Sequence, residues 1–119
     1  MPGAEWIDLT PEIERRRVVK SADELKKHER AAAIVDDLFE ARARESRQPR
    51  QGFQLQAELE RVARYAGCEF CKTWLTIAPE ADYCHSSIEE WQRVPEEGDQ
   101  VLLGIYLMHD GFWGHAIRM

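Results

Sequence analysis

From Ala22 to about Glu45 the chain contains neither Pro nor Gly, and one stripe of positions repeats at three- and four-residue steps: Leu25, His28, Ala32, Val35 and Phe39, widened by Ile34 and Leu38. That period predicts one face of a long amphipathic helix. Ser21-Ala-Asp-Glu24 gives its start, since the Ser hydroxyl and the Glu carboxylate satisfy orphan amides reciprocally in a capping box. Residues 46–52 break the pattern, because Pro49 and Gly52 are both hostile to helix. A second helical period runs from about Gln54 to Ala66, with Leu55, Leu59, Val62 and Ala66 facing inward. Gly67 stands where a left-handed C-terminal cap is wanted. Packing the two stripes together makes a helical hairpin.

Beyond Gly67 the pattern turns to strands. Thr73-Trp-Leu-Thr-Ile77 is β-branched and aromatic and stops at Pro79. Ser87-Ile-Glu-Glu90 is a second capping box, opening a short helix over Ile88 to Arg93, and Pro95 to Asp99 reads as an acidic turn. Val101 to His109 and Phe112 to Met119 flank Asp110-Gly111, a dipeptide suited to a two-residue hairpin turn because both positions accept positive φ. In that register His109 faces Phe112, Leu107 faces Gly114 and Tyr106 faces His115. One face then carries Val101, Leu103, Ile105, Leu107, Phe112 and Ala116. The other carries Leu102, Tyr106, Met108, Trp113, His115, Ile117 and Met119. A sheet covered on one side alternates apolar with polar, and this one does not. One face is therefore core, and the other is either covered by a further layer or is an interface.

The N-terminal stretch is less regular. Glu5 to Thr10 suits a short strand, and Thr10-Pro11-Glu12 a helix start with Thr as N-cap. Glu12 to Lys20 suits either helix or strand. Together these elements predict an α+β fold: a helical pair packed on a small, mainly antiparallel sheet ending in the C-terminal hairpin. A chain of 119 residues fits a single domain, helical over about 11–67 and sheet-rich over about 68–119.

Charge adds a direction to this picture. Residues 1–50 carry 11 basic and 11 acidic side chains, whereas residues 51–119 carry 5 basic against 11 acidic, so the whole net charge of −6 belongs to the second half. Direct nucleic-acid binding needs a basic face, which that half lacks. In the first half Arg15 to Arg17 with Lys20, and Arg42, Arg44, Arg47 and Arg50, are interleaved with acids and read as helix-surface ion pairs. An acidic surface instead suits a protein partner with a basic surface. No apolar run approaches the ~20 residues of a membrane span. Three cysteines with no export signal imply a reducing, cytoplasmic setting. A homo-oligomer stays open.

Candidate chemistry is sparse. Cys68-x-x-Cys71 has the spacing of two zinc thiolates, with Cys84 and His85 farther on and His109 or His115 as a further ligand. Cys84 and His85 are neighbours and point apart in extended chain, which weakens the set, and small core or edge cysteines are the more usual explanation. Cys68-Cys71 follows a helix instead of opening one, so a thioredoxin-like redox site is disfavoured. No nucleophile elbow or phosphate loop is present. His28 reads as a core-edge histidine, and Tyr106 with His115 as a cross-strand aromatic pair. These features together predict a non-enzymatic protein-binding factor, such as an inhibitor of toxin-neutralising type. It would act through Glu89, Glu90, Glu96, Glu97, Asp99, Tyr106, Trp113 and His115, with no cofactor. The alternative is a zinc-stabilised adaptor or nucleic-acid-associated module. A small enzyme using the region of Cys84, His85 and His115 ranks third.

Overall fold

The computed structural model describes residues 3–82 and 87–119, with Glu90 described by its backbone alone. In chain order the elements are α1 (Thr10–Val18), α2 (Ala22–Glu45), α3 (Gly52–Tyr65), β1 (Phe70–Ala78), α4 (Ile88–Gln92), β2 (Gln100–His109) and β3 (Phe112–Arg118). The α+β class is as the sequence predicts.

Helix α2 begins at the expected capping box: the Glu24 amide donates to Ser21 Oγ at 3.3 Å, and the Ser21 amide donates to Glu24 Oε2 at 2.8 Å. Its inward face is rotated from the predicted stripe. Ala31, Ile34, Val35, Leu38, Phe39 and Ala41 are buried, whereas Leu25 and Ala32 are exposed. Leu25 lies before the helix reaches the sheet, so nothing is there to cover it. Helix α3 starts at Gly52, two residues early. The Gly52 amide donates to the Arg93 carbonyl at 2.9 Å, tying this helix to the end of α4, and Gln51 with Gln54 builds the cap. Its buried face is Leu55, Gln56, Leu59 and Ala63, with Val62 and Ala66 only partly covered. Gly67 has φ +94°, the left-handed turn that releases the chain into β1.

The sheet is antiparallel in the order β1-β2-β3. The hairpin register is the expected one, with His109 opposite Phe112 and Tyr106 opposite His115. Asp110 (φ 52°) and Gly111 (φ 78°) both take positive φ. The turn is held from outside: Lys27 Nζ pairs with Asp110 Oδ2 at 2.9 Å, and the Gly111 amide donates to Glu69 Oε1 at 3.2 Å. At the other end Arg42 donates to the Val101 carbonyl at 2.8 Å and the Met119 carbonyl at 3.4 Å, fastening α2 across both strands. Strand β1 is longer than expected, because pairing with β2 runs from Phe70 to Ala78.

The core lies between α2 and α3 on one side and the sheet on the other. Ile34, Leu38, Leu55, Leu59, Leu75, Ile77, Leu103, Ile105 and Leu107 are all buried there, each worth about 1.5–3 kcal/mol relative to exposure.

Two N-terminal expectations are corrected. Residues 4–9 form no strand: they pair with neither border of the sheet, and the chain there runs directly into α1. Thr10 is the first helical residue, not the cap; Asp8 Oδ1 accepts from its amide at 2.9 Å, and the Thr10 hydroxyl, with that amide second, holds the Asp8 carboxyl below its usual range. Glu12 to Val18 is helix, with Arg15 and Arg16 hydrogen-bonded to Glu12, yet α1 buries none of its residues.

Candidate functional site on the open sheet face

Parity along the strands decides which side chains face away from the helices. On β2 they are Leu102, Gly104, Tyr106 and Met108; on β3, Trp113, His115 and Ile117. Register adds Phe70, Lys72, Trp74 and Thr76 of β1. This is the second apolar face seen in the sequence. It is open: Phe70, Trp74, Trp113, Ile117 and Met119 are all exposed, Trp113 by 55%.

The aromatic side chains on this face touch one another. Tyr106 stacks on His115 with ring centroids 4.0 Å apart and planes 23° apart. Trp74 meets Tyr106 edge-on at 4.5 Å, and Phe70 meets Trp113 edge-on at 5.5 Å. Beside this group lies a pocket of about 530 Å³ lined by Trp74, Ala81, Asp82, Leu102, Tyr106, Ile117 and Met119. Its rim is set by the chain leaving β1, where the Ala81 amide donates to Gln100 Oε1 at 2.9 Å. The pocket's lining is mostly apolar, with Trp74, Tyr106 and Asp82 as the residues whose side chains carry polar groups, so it suits a compact apolar group carrying a few polar atoms. Trp74, Leu102, Asp82 and Ile117 were missed as site residues; the legible signal was the alternation of Phe70, Lys72 and Trp74 along β1.

The predicted binding residues do not form one patch. Glu89, Glu96 and Glu97 are exposed, and the Glu90 side chain lies outside the described residues. Asp99 is not a surface acid. Its carboxylate, 3% exposed, takes two hydrogen bonds from Arg93 (2.7 and 3.0 Å) and one from the Glu96 amide (3.0 Å). Those contacts hold it below the usual carboxylate range, with the Arg93 bond the largest cause. Tyr106, Trp113 and His115 do share the open face.

The cysteines lie on the opposite side. Cys71 faces the core opposite Leu107, and Cys68 is buried in the turn after Gly67. Burial pushes the Cys71 thiol up to about 12 and raises Cys68 as well, and ionising Cys68 would push Cys71 up further. Cys84 and His85 lie outside the described residues. Among the described residues no three His, Cys, Asp or Glu side chains converge as a metal site. His109 lies beside Gly67, whereas His115 is on the open face. His28 sits half-buried at the core edge, its ring edge-on to Phe112 at 5.0 Å. No helix among the described residues is long and apolar enough to cross a membrane.

Fold and face together define the class: a helix-backed antiparallel sheet whose far side is an open aromatic surface. No protein-family model matches the sequence, and no curated protein matches it. The fold itself has solved counterparts. It resembles part of the prolidase from Pyrococcus furiosus, with a TM-score of 0.77 and 19% identity over 89% of this chain. It also resembles part of the X-Pro aminopeptidase from Thermotoga maritima MSB8, with a TM-score of 0.76 and 20% identity over 91% of this chain. The chain spans 33% and 31% of those two proteins. This likeness overturns the expectation of a non-enzymatic inhibitor, and the zinc-adaptor alternative with it, because the architecture is one that peptidases use. The inhibitor reading had rested on charge asymmetry and on missing motifs, neither of which reports the fold.

Proposed function

We propose that the chain is the peptide-binding part of a peptidase-type enzyme, and that it holds proline-containing peptides on the open sheet face. The observation that carries this reading is the aromatic-lined pocket beside Trp74 and Tyr106. A proline ring has no backbone N–H to satisfy and presents a flat apolar surface, so it docks well in aromatic grooves. The names of the structural counterparts, a prolidase and an X-Pro aminopeptidase, agree with that chemistry. Because the chain spans about a third of each, the bond-breaking groups are taken to come from outside the described residues.

A zinc held by Cys68 and Cys71 would lie on the helix side of the sheet, where Cys71 faces the core, and would serve the structure, not the peptide. Metal analysis of the purified chain, with Cys71→Ser as control, decides that point.

The binding test is a tryptophan-fluorescence titration with Ala-Pro and Ala-Ala peptides. Saturable binding that prefers Ala-Pro and disappears in Tyr106→Ala supports the reading. No binding of either peptide at millimolar concentration, or equal binding of both, overturns it.

A further inference from the structure

The N-terminal arm, residues 3–20, carries a second unpartnered apolar surface. Trp6 is 94% exposed, Ile7, Leu9 and Ile13 are also exposed, and α1 buries none of its residues. The arm cannot shelter these side chains against α2. Val19 is extended, and the Ser21 capping box sets the first turn of α2, so the arm runs on away from the body. The molecule is 63 Å long with a radius of gyration of 18.5 Å, against about 13.5 Å for a compact chain of this length.

Surface area says the same. The accessible surface is 8432 Å², whereas a compact monomer of this mass exposes about 6,700 Å². The surplus is close to twice the ~800 Å² that each partner contributes to a standard interface. One chain thus has room to bury two patches, one on the arm and one on the sheet.

We infer that the chain forms a dimer by arm exchange, in which Trp6, Ile7, Leu9 and Ile13 of one copy lie on the open sheet face of a second copy. The face offers what those side chains need: Phe70, Trp74, Trp113 and Ile117, all exposed and on one side of the sheet. A two-fold exchange buries both patches of both copies and leaves none over, which closes the assembly at two. The inference rests on the two exposed surfaces and not on peptide binding; because Trp74 and Ile117 also line the pocket, arm and peptide would compete for this face.

Sedimentation equilibrium on the full chain tests it. At about 50 μM the chain should be dimeric, as interfaces of this size reach micromolar affinity or better. Trp6→Glu with Ile13→Glu spoils the arm, and Trp113→Glu spoils the face; each of these side chains is exposed, so circular dichroism melts should stay close to wild type. Each variant alone should be monomeric, its dimer weakened more than about thirtyfold. Mixing the two variants restores one intact arm–face contact and should recover a heterodimer. A wild-type monomer at that concentration, dimers in either variant alone, or a mixture that fails to associate overturns the inference.

Discussion

Gly114 passes so close beneath Ala31 that a β-carbon there would lie 2.8 Å from the Ala31 carbonyl oxygen and 3.0 Å from Val35 Cγ2. The nearest atom is helix backbone, which cannot swing aside. Gly114→Ala should therefore push α2 off β3 and lower stability by about 1–3 kcal/mol, read as a shift in the urea midpoint.

The two faces of the sheet should answer differently to truncation. Ile105 is fully buried against the helices, so Ile105→Ala should cost about 2–5 kcal/mol. Trp113 is the larger residue but is exposed in the single chain, and at concentrations below those at which the chain dimerises Trp113→Ala should cost under about 1 kcal/mol. Paired denaturant curves test this contrast. Similar losses at both positions would mean that the open face is covered in solution.

Cys71 makes the alkaline limb of stability steep. Burial raises its thiol from 9.0 to about 12 in the folded state. Between those values the unfolded chain releases the proton and the folded chain keeps it, so stability falls as pH rises. Cys71→Ser should flatten that limb. Native protein should also react slowly with a thiol-specific reagent at neutral pH and rapidly once unfolded.

Asp99 acts at the opposite end of the pH scale. Its carboxylate is held below 3.8 by Arg93 and the Glu96 amide. A depressed carboxylate stabilises the fold above its unfolded value, and that contribution is lost as pH falls through the folded one. Asp99→Asn should remove this part of the acid transition. It should also speed hydrogen exchange at the Asp99 amide, which donates to the Glu96 carbonyl at 3.1 Å.

Much of the fold was legible because its signals are local. Ser21 and Glu24 meet within one turn, Gly67 sits where only a left-handed residue fits, and the positive φ of Asp110 and Gly111 closes a two-residue turn that sets the hairpin register. The rotation of the buried face of α2 was not legible, because it depends on where β3 passes under Ala31, a contact distant in sequence. The arm was misread for a related reason. Trp6 and Ile7 have strand-forming side chains, but a strand also needs a partner strand alongside it, and propensity does not report one. The open face was visible as two apolar strand faces, although its pocket needed the register of β1 and the placement of Asp82. The acids misled because a charge count cannot tell Glu96, which is exposed, from Asp99, which is internal.

Gln56 has an effect well beyond its own hydrogen bond. Buried on α3, its side-chain amide donates to the Thr73 carbonyl of β1 at 2.9 Å, and Thr73 Oγ1 turns toward Glu60 at 3.4 Å. Strand β1 is one border of the sheet and β3 the other. Fibre growth by edge pairing needs both borders free, so that each molecule can accept one neighbour and offer itself to the next. With the β1 border plugged, an incoming strand would have to break a buried hydrogen bond before it could pair. At this carbonyl the β1 border is the poorer template of the two, so Gln56 adds to the cost of growth from both edges.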